Sequence, residues 1–432
     1  MSLRLLDFFR DAFRDMRVAR ALFSQWTRVR RSTEYAADTS LRGKALIIPC
    51  DPWGVVGSRG DQAMILACLQ HVRAAHPDRV VDVLTDSHDT DAPCRELGLN
   101  PVVAWREPLD VWFAAHAGDY AEVYIPGADV TDGVYGWPTA CKLLAFYDCF
   151  AARGVPVHYL GFSWSETPHR MMKRVLARLT KDLPLPVRDP VSLARLSRFT
   201  AHRPLVPVAD AAFCLQPRET DCVRRHRAWI EAQHAAGCRV IALNVHPMFN
   251  DAETKSADWE RAVLDTLAAV GARHPDVRWL FLPHDDRPNV SDLVLLKRLF
   301  GPFGAARAYL VDEVMRADEI KSLVGVCDGL VAGRMHLSIA ALGQGVPVLG
   351  LAYQGKFEGL WRHFGLTEET LLAPKAFLKA PDMAVQSMTE FLADLPTLAE
   401  RIRLALPAVL RLGERNFTAQ SSFPGCLNEK DA

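Results

Sequence analysis

The sequence predicts an α/β protein of two Rossmann-like domains that face each other across a cleft. Along most of the chain, short apolar runs typical of buried strands alternate with amphipathic stretches of helical period, which indicates parallel doubly wound sheets. A length of 432 residues is more than one compact core holds and suits two domains of ordinary size. An N-terminal amphipathic helix and C-terminal closing helices complete the predicted architecture.

Residues 1–38 are predicted to contain that amphipathic helix, from Leu3 to about Arg31. Apolar residues form one stripe at helical spacing, and arginines occupy much of the remaining surface. Two interpretations are open: the helix packs on protein, or it lies on an anionic membrane surface, although interleaved aspartates weaken the second. The stripe comprises Leu6, Phe9, Phe13, Met16, Ala19, Phe23 and Trp26.

Residues 39–200 are predicted to form the N-terminal Rossmann-like domain. The segment 182–207 contains several prolines and no strong strand pattern, so the connection between the domains is placed there. The predicted strands are 44–50, 80–84, 122–125 and 157–161, and the main helices are 61–76 and 139–153.

Residues 201–372 are predicted to form the C-terminal Rossmann-like domain, and residues 373–432 the closing helices and a polar tail. The predicted strands are 239–244, 279–283, 308–310, 329–332 and 346–351. The predicted helices are 258–273, 290–299, 313–326 and 336–343, with further helices at 360–365 and 383–410.

The composition excludes several classes of protein. The formal net charge is zero, which gives no global electrostatic argument for a nucleic-acid partner. No apolar run approaches the roughly twenty residues that span a bilayer, and the N-terminus lacks the apolar core of a secretory signal. The ten cysteines form no CxxC pair and no Cys/His cluster at metal-ligand spacing, so we expect reduced thiols, no metal site and a cytoplasmic location.

Polar loops follow several predicted strands, where open parallel sheets bind ligands. The loop from Gly57 to Asp61 places glycines at a helix start, which lets backbone amides approach an anion. An ordinary turn with Asp61 as helix N-cap explains the same residues. Farther along, Asp189 and Pro190 are expected to begin a helix, which leaves Arg188 as a candidate free arginine pointing into the cleft.

Two loops of the C-terminal half bring basic side chains to strand ends. His284 follows one strand and is either a site residue or a cap of the next loop, while the two aspartates after it are a poor metal signal. Arg334 and His336 follow another strand, and Lys356 follows the next. Because the ends of neighbouring parallel strands lie side by side, we expect these three cations to converge on an anion.

These motifs resemble those of the polysaccharide pyruvyl transferases. The matching pieces occur in the family's order and cover residues 45–366, and the C-terminal block is the specific one. They are Gly57-Ser58-Arg59-Gly60-Asp61, Arg188-Asp189 with Ser192, Leu282-Pro283-His284 before Asp292, Cys327-Asp328 through Gly333-Arg334-Met335-His336, Gly345-Val346-Pro347-Val348 and Ala352-Tyr353-Gln354-Gly355-Lys356.

The resemblance implies an enzyme with a fold like that of GT-B glycosyltransferases. Such an enzyme moves the enolpyruvyl unit of phosphoenolpyruvate onto two hydroxyls of one sugar, forming a pyruvate ketal and releasing phosphate. The implied partners are phosphoenolpyruvate as co-substrate and a cell-envelope, exopolysaccharide or lipid-linked sugar as acceptor, with no further cofactor. A lipid-linked acceptor would place the enzyme on the inner face of the cytoplasmic membrane, in contact through residues 3–31.

The resemblance also assigns residues. It implies that Arg188, His336 and Lys356 bind phosphoenolpyruvate, with Arg334 beside them. The carboxylate and the phosphate of this multiply charged anion need paired hydrogen bonds and point charges. His336 is the candidate acid that protonates C3, and Asp61 is a candidate base or acceptor-hydroxyl partner. The acceptor and loop candidates are Gly57, Gly60, Asp61, Gly127, Asp129 and His284.

Two loops depart from the family's pattern. Gly57-Ser58 stands where Gly-Asn is common, and Gly127 stands alone where the family often has a run of glycines. Both lie in the half expected to hold the sugar, so the resemblance assigns the donor half more firmly than the acceptor half. Two alternatives stay open. One is a GT-B glycosyltransferase that uses a nucleotide sugar, with Glu358 as the candidate for the ribose, and the other is a non-catalytic relative that binds an anion.

Overall fold

The computed structural model describes residues 3–32, 43–200, 203–246, 256–287, 291–304, 307–352 and 357–418, with side chains from Arg14 onward except that of Ser256. These ranges form an α/β fold, as predicted. The strands are β1 (Lys44–Ile47), β2 (Val81–Thr85), β3 (Asn100–Val103), β4 (Tyr120–Ile125), β5 (Val157–Tyr159), β6 (Leu185–Val187), β7 (Leu205–Pro207), β8 (Arg239–Asn244), β9 (Val277–Phe281), β10 (Ala308–Leu310), β11 (Gly329–Ala332), β12 (Val348–Leu351) and β13 (Leu371–Leu372). The helices are α1 (Leu3–Arg31), α2 (Arg59–Ala75), α3 (Asp91–Glu96), α4 (Leu109–His116), α5 (Trp137–Ala151), α6 (Met172–Arg178), α7 (Pro190–Phe199), α8 (Asp221–Ala235), α9 (Ser256–Arg273), α10 (Asp292–Phe303), α11 (Ala317–Val324), α12 (Met335–Leu342), α13 (Phe357–His363), α14 (Ala376–Lys379), α15 (Pro381–Ala393) and α16 (Leu395–Glu414).

The chain divides into two compact units. The first unit comprises Met1–Val55, Cys68–Asp210 and Glu414–Ala432, and the second comprises Val56–Ala67 and Ala211–Gly413. The sequence-based boundaries at residues 200 and 372 instead keep 56–67 with the N-terminal domain and 414–432 with the C-terminal helices. Pairings distant in sequence account for the difference: Ser58 bridges to Asp285 in the second unit, and Asn416 bonds to Gly161 in the first.

A five-stranded parallel sheet forms the centre of the first unit, in the order β3-β2-β1-β4-β5. The middle strand β1 is fully buried from Ala45 to Ile47, as expected for a parallel strand covered on both faces. The sequence pattern does not predict β3. That strand is partly exposed and contains Pro101, both of which are typical of an edge position.

Residues 182–207, which show no strong strand pattern in the sequence, contain two short strands. β6 and β7 pair in parallel there, and α7 connects them. Each strand has three residues and includes a proline, so neither produces a recognisable sequence pattern. Isolated bridges join Phe162 to Ala128 and to Val187, which ties β6 to the segments that follow β4 and β5.

The second unit contains a six-stranded parallel sheet in the order β10-β9-β8-β11-β12-β13. Five of these strands agree with the prediction, and β13 is an addition at one edge. β8 lies between β9 and β11, so the carboxyl ends of these three strands are adjacent. This is the edge at which parallel sheets bind ligands.

Helix α1 packs on α4 and α5 within the first unit over the part whose side chains are described. Trp26 and Val29 are buried, and the Trp26 indole donates a hydrogen bond of 2.8 Å to Asp148. These contacts agree with the packing interpretation, while the apolar side chains of the helix before Arg14 lie outside the described residues. No helix in the described part of the chain is both long and apolar enough to cross a membrane.

Replacing Trp26 by phenylalanine is expected to destabilise the protein by about 1–3 kcal/mol, because the buried carboxylate of Asp148 loses its indole donor. Urea unfolding would measure the change. Met16→Ala is the control on the same helix, since Met16 is 52% exposed and its truncation should change stability by less than about 0.5 kcal/mol. Met16 belongs to the same sequence-predicted stripe but is exposed in the structure, so equal effects of the two substitutions would contradict a packing role for Trp26.

Candidate functional site

Three neighbouring strands of the second unit carry polar residues at their carboxyl ends. Asn244 ends β8, His284 follows β9 after two residues, and Arg334 and His336 follow β11. The prediction that His336 begins a helix agrees with α12, which starts one residue earlier. The sheet order therefore groups an amide, two histidines and an arginine at one edge.

Asp292, at the start of α10, organises this edge of the sheet. Its carboxylate accepts two-pronged hydrogen bonds from Arg334, with the shortest at 2.7 Å, and a bond of 2.9 Å from the Asn244 amide. It also accepts the backbone N–H of His284 at 3.0 Å. Burial raises the pKa of Asp292, and the bonds from Arg334 oppose that shift. The Arg334 guanidinium is thus held by a buried carboxylate in one orientation.

A second carboxylate holds Arg334 from another side. Asp285 Oδ2 lies 3.0 Å from Arg334 Nη1 and also accepts a hydrogen bond of 2.6 Å from Arg287. The Asp285 side chain is 3% exposed. This carboxylate therefore links Arg334 to Arg287 at the strand ends.

The glycine loop of residues 57–60 packs against the same strand ends. Ser58 forms an antiparallel bridge with Asp285, and the Asp286 N–H donates to the Gly57 carbonyl at 3.1 Å. A side chain at Gly60 would overlap the ring of His336, with 2.8 Å to Cγ and 3.2 Å to Cβ. The histidine therefore lies directly on the loop backbone, so Gly60 is required here for close approach rather than for an unusual turn.

The start of α2 differs from the prediction at Asp61. The helix begins at Arg59, and the Ser58 hydroxyl accepts the Asp61 N–H at 3.3 Å, so Ser58 and not Asp61 is in the capping position. The Asp61 carboxylate lies in the first helical turn, where it interacts favourably with the helix dipole. Asp61 belongs to the second unit, together with His336.

Arg59 is an additional basic residue at this site, to which sequence reasoning assigns no role. It is 5% exposed, and its Nε donates to the Met315 carbonyl at 2.6 Å. Burial lowers the pKa of Arg59, and the nearby Asp286 and Asp285 oppose that shift. The segment that carries Met315 therefore fixes this guanidinium beside the strand ends.

The pKa of His284 reflects the basic side chains that lie near it. Burial lowers the pKa of His284 well below its ordinary value, and the nearby His336, Arg334 and Arg59 lower it further. His284 is therefore neutral at physiological pH. We call the four residues Arg59, His284, Arg334 and His336 the basic cluster. A small pocket beside it is lined by Arg59, His284, Asp285 and Asp286, among others.

In the first unit, the prediction of a free Arg188 is wrong. Arg188 is 4% exposed; its Nη1 lies 2.7 Å from Asp210, and its Nε donates to the Ser163 hydroxyl at 2.7 Å. Burial lowers the pKa of Arg188, but Asp210, Asp129 and Asp189 outweigh it and raise that pKa. The capping prediction is confirmed, because Asp189 accepts the backbone N–H of Ser192 at 2.7 Å.

Gly127 and Asp129 belong to the same region of the first unit as Arg188. A side chain at Gly127 would come within 2.7 Å of the Leu160 carbonyl, so the chain can pass there only as glycine. The next residue, Ala128, has a positive φ of 44°, which is unusual for a residue other than glycine. Asp129 is near enough to raise the pKa of Arg188.

The structure therefore gathers only part of the predicted site. Arg334, His336, His284, Gly57, Gly60 and Asp61 are all in the second unit, whereas Arg188, Gly127 and Asp129 are in the first. Lys356 lies outside the described residues. Sequence reasoning assigns no role to Arg59 or Asn244, although the first lies inside the quoted glycine motif and the second ends a predicted strand.

Comparison with known families gives one match. The sequence model of the polysaccharide pyruvyl transferase family matches residues 59–355, which is more than half of the chain. The matched segment includes every residue of the basic cluster. No protein among those with curated descriptions matches the sequence.

Comparison with solved structures supports the fold class. MnaA of S. aureus, solved with UDP, has a TM-score of 0.52 at 12% identity, and the match covers 89% of this chain and 100% of that one. A Listeria monocytogenes protein described as a UDP-N-acetylglucosamine 2-epimerase has the same TM-score and identity, with 87% and 96% covered. At this identity the likeness shows the fold alone, and it confirms the prediction of a GT-B-like protein with two Rossmann-like domains.

Proposed function

Because the chain belongs to the polysaccharide pyruvyl transferase family, and is therefore a transferase, we propose that phosphoenolpyruvate is its donor. The acceptor in this proposal is a sugar of a cell-envelope or exopolysaccharide glycan. The products are a pyruvate ketal that bridges two hydroxyls of that sugar, and inorganic phosphate.

The observation that carries the proposal is the basic cluster on the glycine loop. Phosphoenolpyruvate presents a phosphate and a carboxylate on one three-carbon unit, so it needs donors on two sides. Arg334 is fixed by Asp292 and Asp285, and Arg59 is fixed by the Met315 carbonyl, so both guanidinium groups keep their orientation without ligand. Preorganised donors of this kind stabilise developing charge without reorganising during the reaction.

The proposed chemistry needs one proton donor and one proton acceptor. Protonation of C3 converts C2 of the enol phosphate into an electrophile, and the first sugar hydroxyl adds to C2 as its proton is removed. The C2–O bond to phosphate then breaks, the second hydroxyl adds to C2, and its proton leaves with the phosphate. The result is a ketal in which C2 carries the methyl group, the carboxylate and two sugar oxygens.

His336 is the proposed acid for C3, because its ring lies on the Gly60 backbone beside Arg334 and His284. Asp61 is the proposed base or hydroxyl partner, one residue after Gly60 in the first turn of α2. Arg188 and Lys356 are proposed as further donor ligands from the family resemblance. Gly127 and Asp129 remain proposed acceptor-side residues on the same basis.

Two aspects of the biology are also proposals. The acceptor is a glycan or a lipid-linked sugar, and in the second case residues 3–31 contact the inner face of the cytoplasmic membrane. No cofactor beyond phosphoenolpyruvate is proposed. The competing nucleotide-sugar function depends on Glu358 as a ribose ligand, and this residue is exposed at the start of α13.

Replacing His336 by alanine is expected to lower glycan-dependent phosphate release from phosphoenolpyruvate by about 10²–10⁴-fold, the usual contribution of a positioned acid or base. The measurement is phosphate release with candidate glycans, with loss of two acceptor hydroxyls checked by mass spectrometry. His76→Ala is the matched control, because His76 is exposed and follows the end of α2.

Undiminished release by the His336→Ala variant would remove the proposed acid. Thermal-shift measurements separate the donor classes independently of turnover, because a ligand that binds only the folded state raises its melting temperature. Stabilisation by UDP-sugars and not by phosphoenolpyruvate would favour the glycosyltransferase alternative. Stabilisation by phosphoenolpyruvate without turnover on any acceptor would favour the non-catalytic one.

A further inference from the structure

A cysteine, a histidine and a glutamate meet in the second unit outside the basic cluster. Cys222 and His226 lie one turn apart on α8, and Glu313 lies in the segment between β10 and α11. Their Sγ, ring nitrogen and carboxylate oxygen atoms all lie within 4.8 Å of one another. We propose that these three side chains bind a zinc ion.

The three ligand atoms suit zinc in type and in number. Zinc binds thiolate, imidazole and carboxylate at about 2.0–2.3 Å in a tetrahedron, and three protein ligands leave one position for water. A spacing of four residues places Cys222 and His226 on one face of the helix. His226 Nε2 already lies 2.9 Å from Glu313 Oε1, so only a small separation of these two atoms admits the ion.

The surroundings of His226 are those of a zinc-ligating histidine. Its side chain is 4% exposed, and its Nδ1 lies 3.0 Å from the Tyr309 hydroxyl. With Nδ1 protonated and donating to that hydroxyl, Nε2 carries the lone pair and faces Glu313. Metal-bound histidines are usually oriented in this way by a partner at the second nitrogen.

Glu313 can bind the metal without releasing its arginine. Arg225 Nη2 contacts both carboxylate oxygens, at 2.8 Å for Oε1 and 3.1 Å for Oε2, and Arg225 is 60% exposed. Oε1 faces His226 and is the proposed ligand, whereas Oε2 keeps the bond to Arg225. The hydrogen bond from Arg225 to Glu313 then lies outside the metal's ligand shell and orients the carboxylate.

Zinc would convert the Cys222 thiol to a thiolate and release one proton to solvent. In the metal-free protein, burial raises the pKa of the Cys222 thiol to about 11, with a further contribution from Glu313. The thiolate and carboxylate charges together balance the two positive charges of zinc.

The proposed site is connected to the basic cluster through a short piece of chain. Glu313 precedes Val314 and Met315, and the Met315 carbonyl holds Arg59 at 2.6 Å. A zinc ion that joins α8 to Glu313 would fix the segment that positions this arginine. The proposed metal is thus a structural element that supports the site, and it takes no part in the transfer chemistry.

The test uses the full-length untagged protein, stripped with a chelator and titrated with Zn²⁺ against a colorimetric competitor. We expect one tightly bound zinc per chain, a zinc-dependent rise in melting temperature, and sulfur-to-metal charge-transfer absorption when Co²⁺ replaces Zn²⁺. Cys222→Ser and His226→Asn should abolish all three signals. Cys238→Ser is the matched control, because Cys238 follows α8 and lies outside the cluster.

A milder variant separates a metal site from a packing role. Tyr309→Phe keeps the ring and removes only the partner of His226, so zinc affinity should fall by about 10–100-fold while the metal-free protein stays folded. Zinc binding that is equal in the wild type and Cys222→Ser would overturn the proposal. So would a Co²⁺ spectrum without thiolate absorption, or stabilisation by Mg²⁺ as strong as that by Zn²⁺.

Discussion

Replacing Arg334 by alanine is expected to destabilise the protein by about 3–5 kcal/mol and to abolish phosphate release from phosphoenolpyruvate. The substitution leaves the carboxylate of Asp292, which is fully buried, without its cationic partner, and such orphaned charges are among the most destabilising single changes. Arg334→Lys keeps the charge but loses the two-pronged geometry. For this variant we expect about 10²–10³-fold lower activity, the usual effect of removing one preorganised donor.

Urea unfolding and phosphate release measure the two effects separately. Arg298→Ala is the matched control, because Arg298 makes the same two-pronged contact with Glu260 but is 50% exposed. Its loss should change stability by less than about 1 kcal/mol. The double variant Arg334→Ala/Asp292→Ala should recover part of the lost stability, because it removes both charges. If Arg334→Ala were as stable as Arg298→Ala, the buried pair would not hold the site.

Replacing Gly60 by alanine is expected to lower activity by about 10²-fold while leaving the protein folded. The new methyl group would overlap the His336 ring and displace it, and a misplacement of about 1 Å has a rate effect of this order. Alanine is otherwise favoured over glycine in a helix by about 1 kcal/mol, so helix propensity alone predicts no loss of stability. Activity and melting temperature of the same preparation give the two readouts.

Gly301→Ala is the control for this substitution. Gly301 lies within α10, and a side chain there meets no atom within 4 Å, so activity should be unchanged. Full activity of Gly60→Ala would show that the position of the His336 ring against the loop is unimportant for the reaction. That outcome would remove the acid role proposed for this histidine.

Much of the fold is predictable from the sequence because its signals are local. The central residues of β8, 240–243, are all apolar and are flanked by polar residues, which is typical of strands buried on both faces. The short strands β6 and β7 and the exposed edge strand β3 lack such patterns. Their pairing is determined by neighbours distant in sequence, and a single sequence does not display those contacts.

The candidate site shows the same limit. Arg334, His336 and His284 are recognisable because each follows a strand of the same parallel sheet. The sequence does not show that Arg188 is paired with Asp210, or that Ser58 rather than Asp61 caps α2. Both depend on how the chain is arranged in three dimensions. Cys222 and His226 are recognisable as candidate metal ligands only once Glu313, 87 residues from His226, is known to lie beside them.

The segment that follows α16 has a consequence for synthesis on the ribosome. The buried Asn416 accepts the Gly161 N–H at 2.7 Å and donates to the Ala209 carbonyl at 2.8 Å, while Phe417 stacks on His71. The first unit is thus completed by residues translated after the whole second unit. A nascent chain ending before Glu414 exposes these buried polar groups and this aromatic face, so that unit acquires its native packing only late in translation.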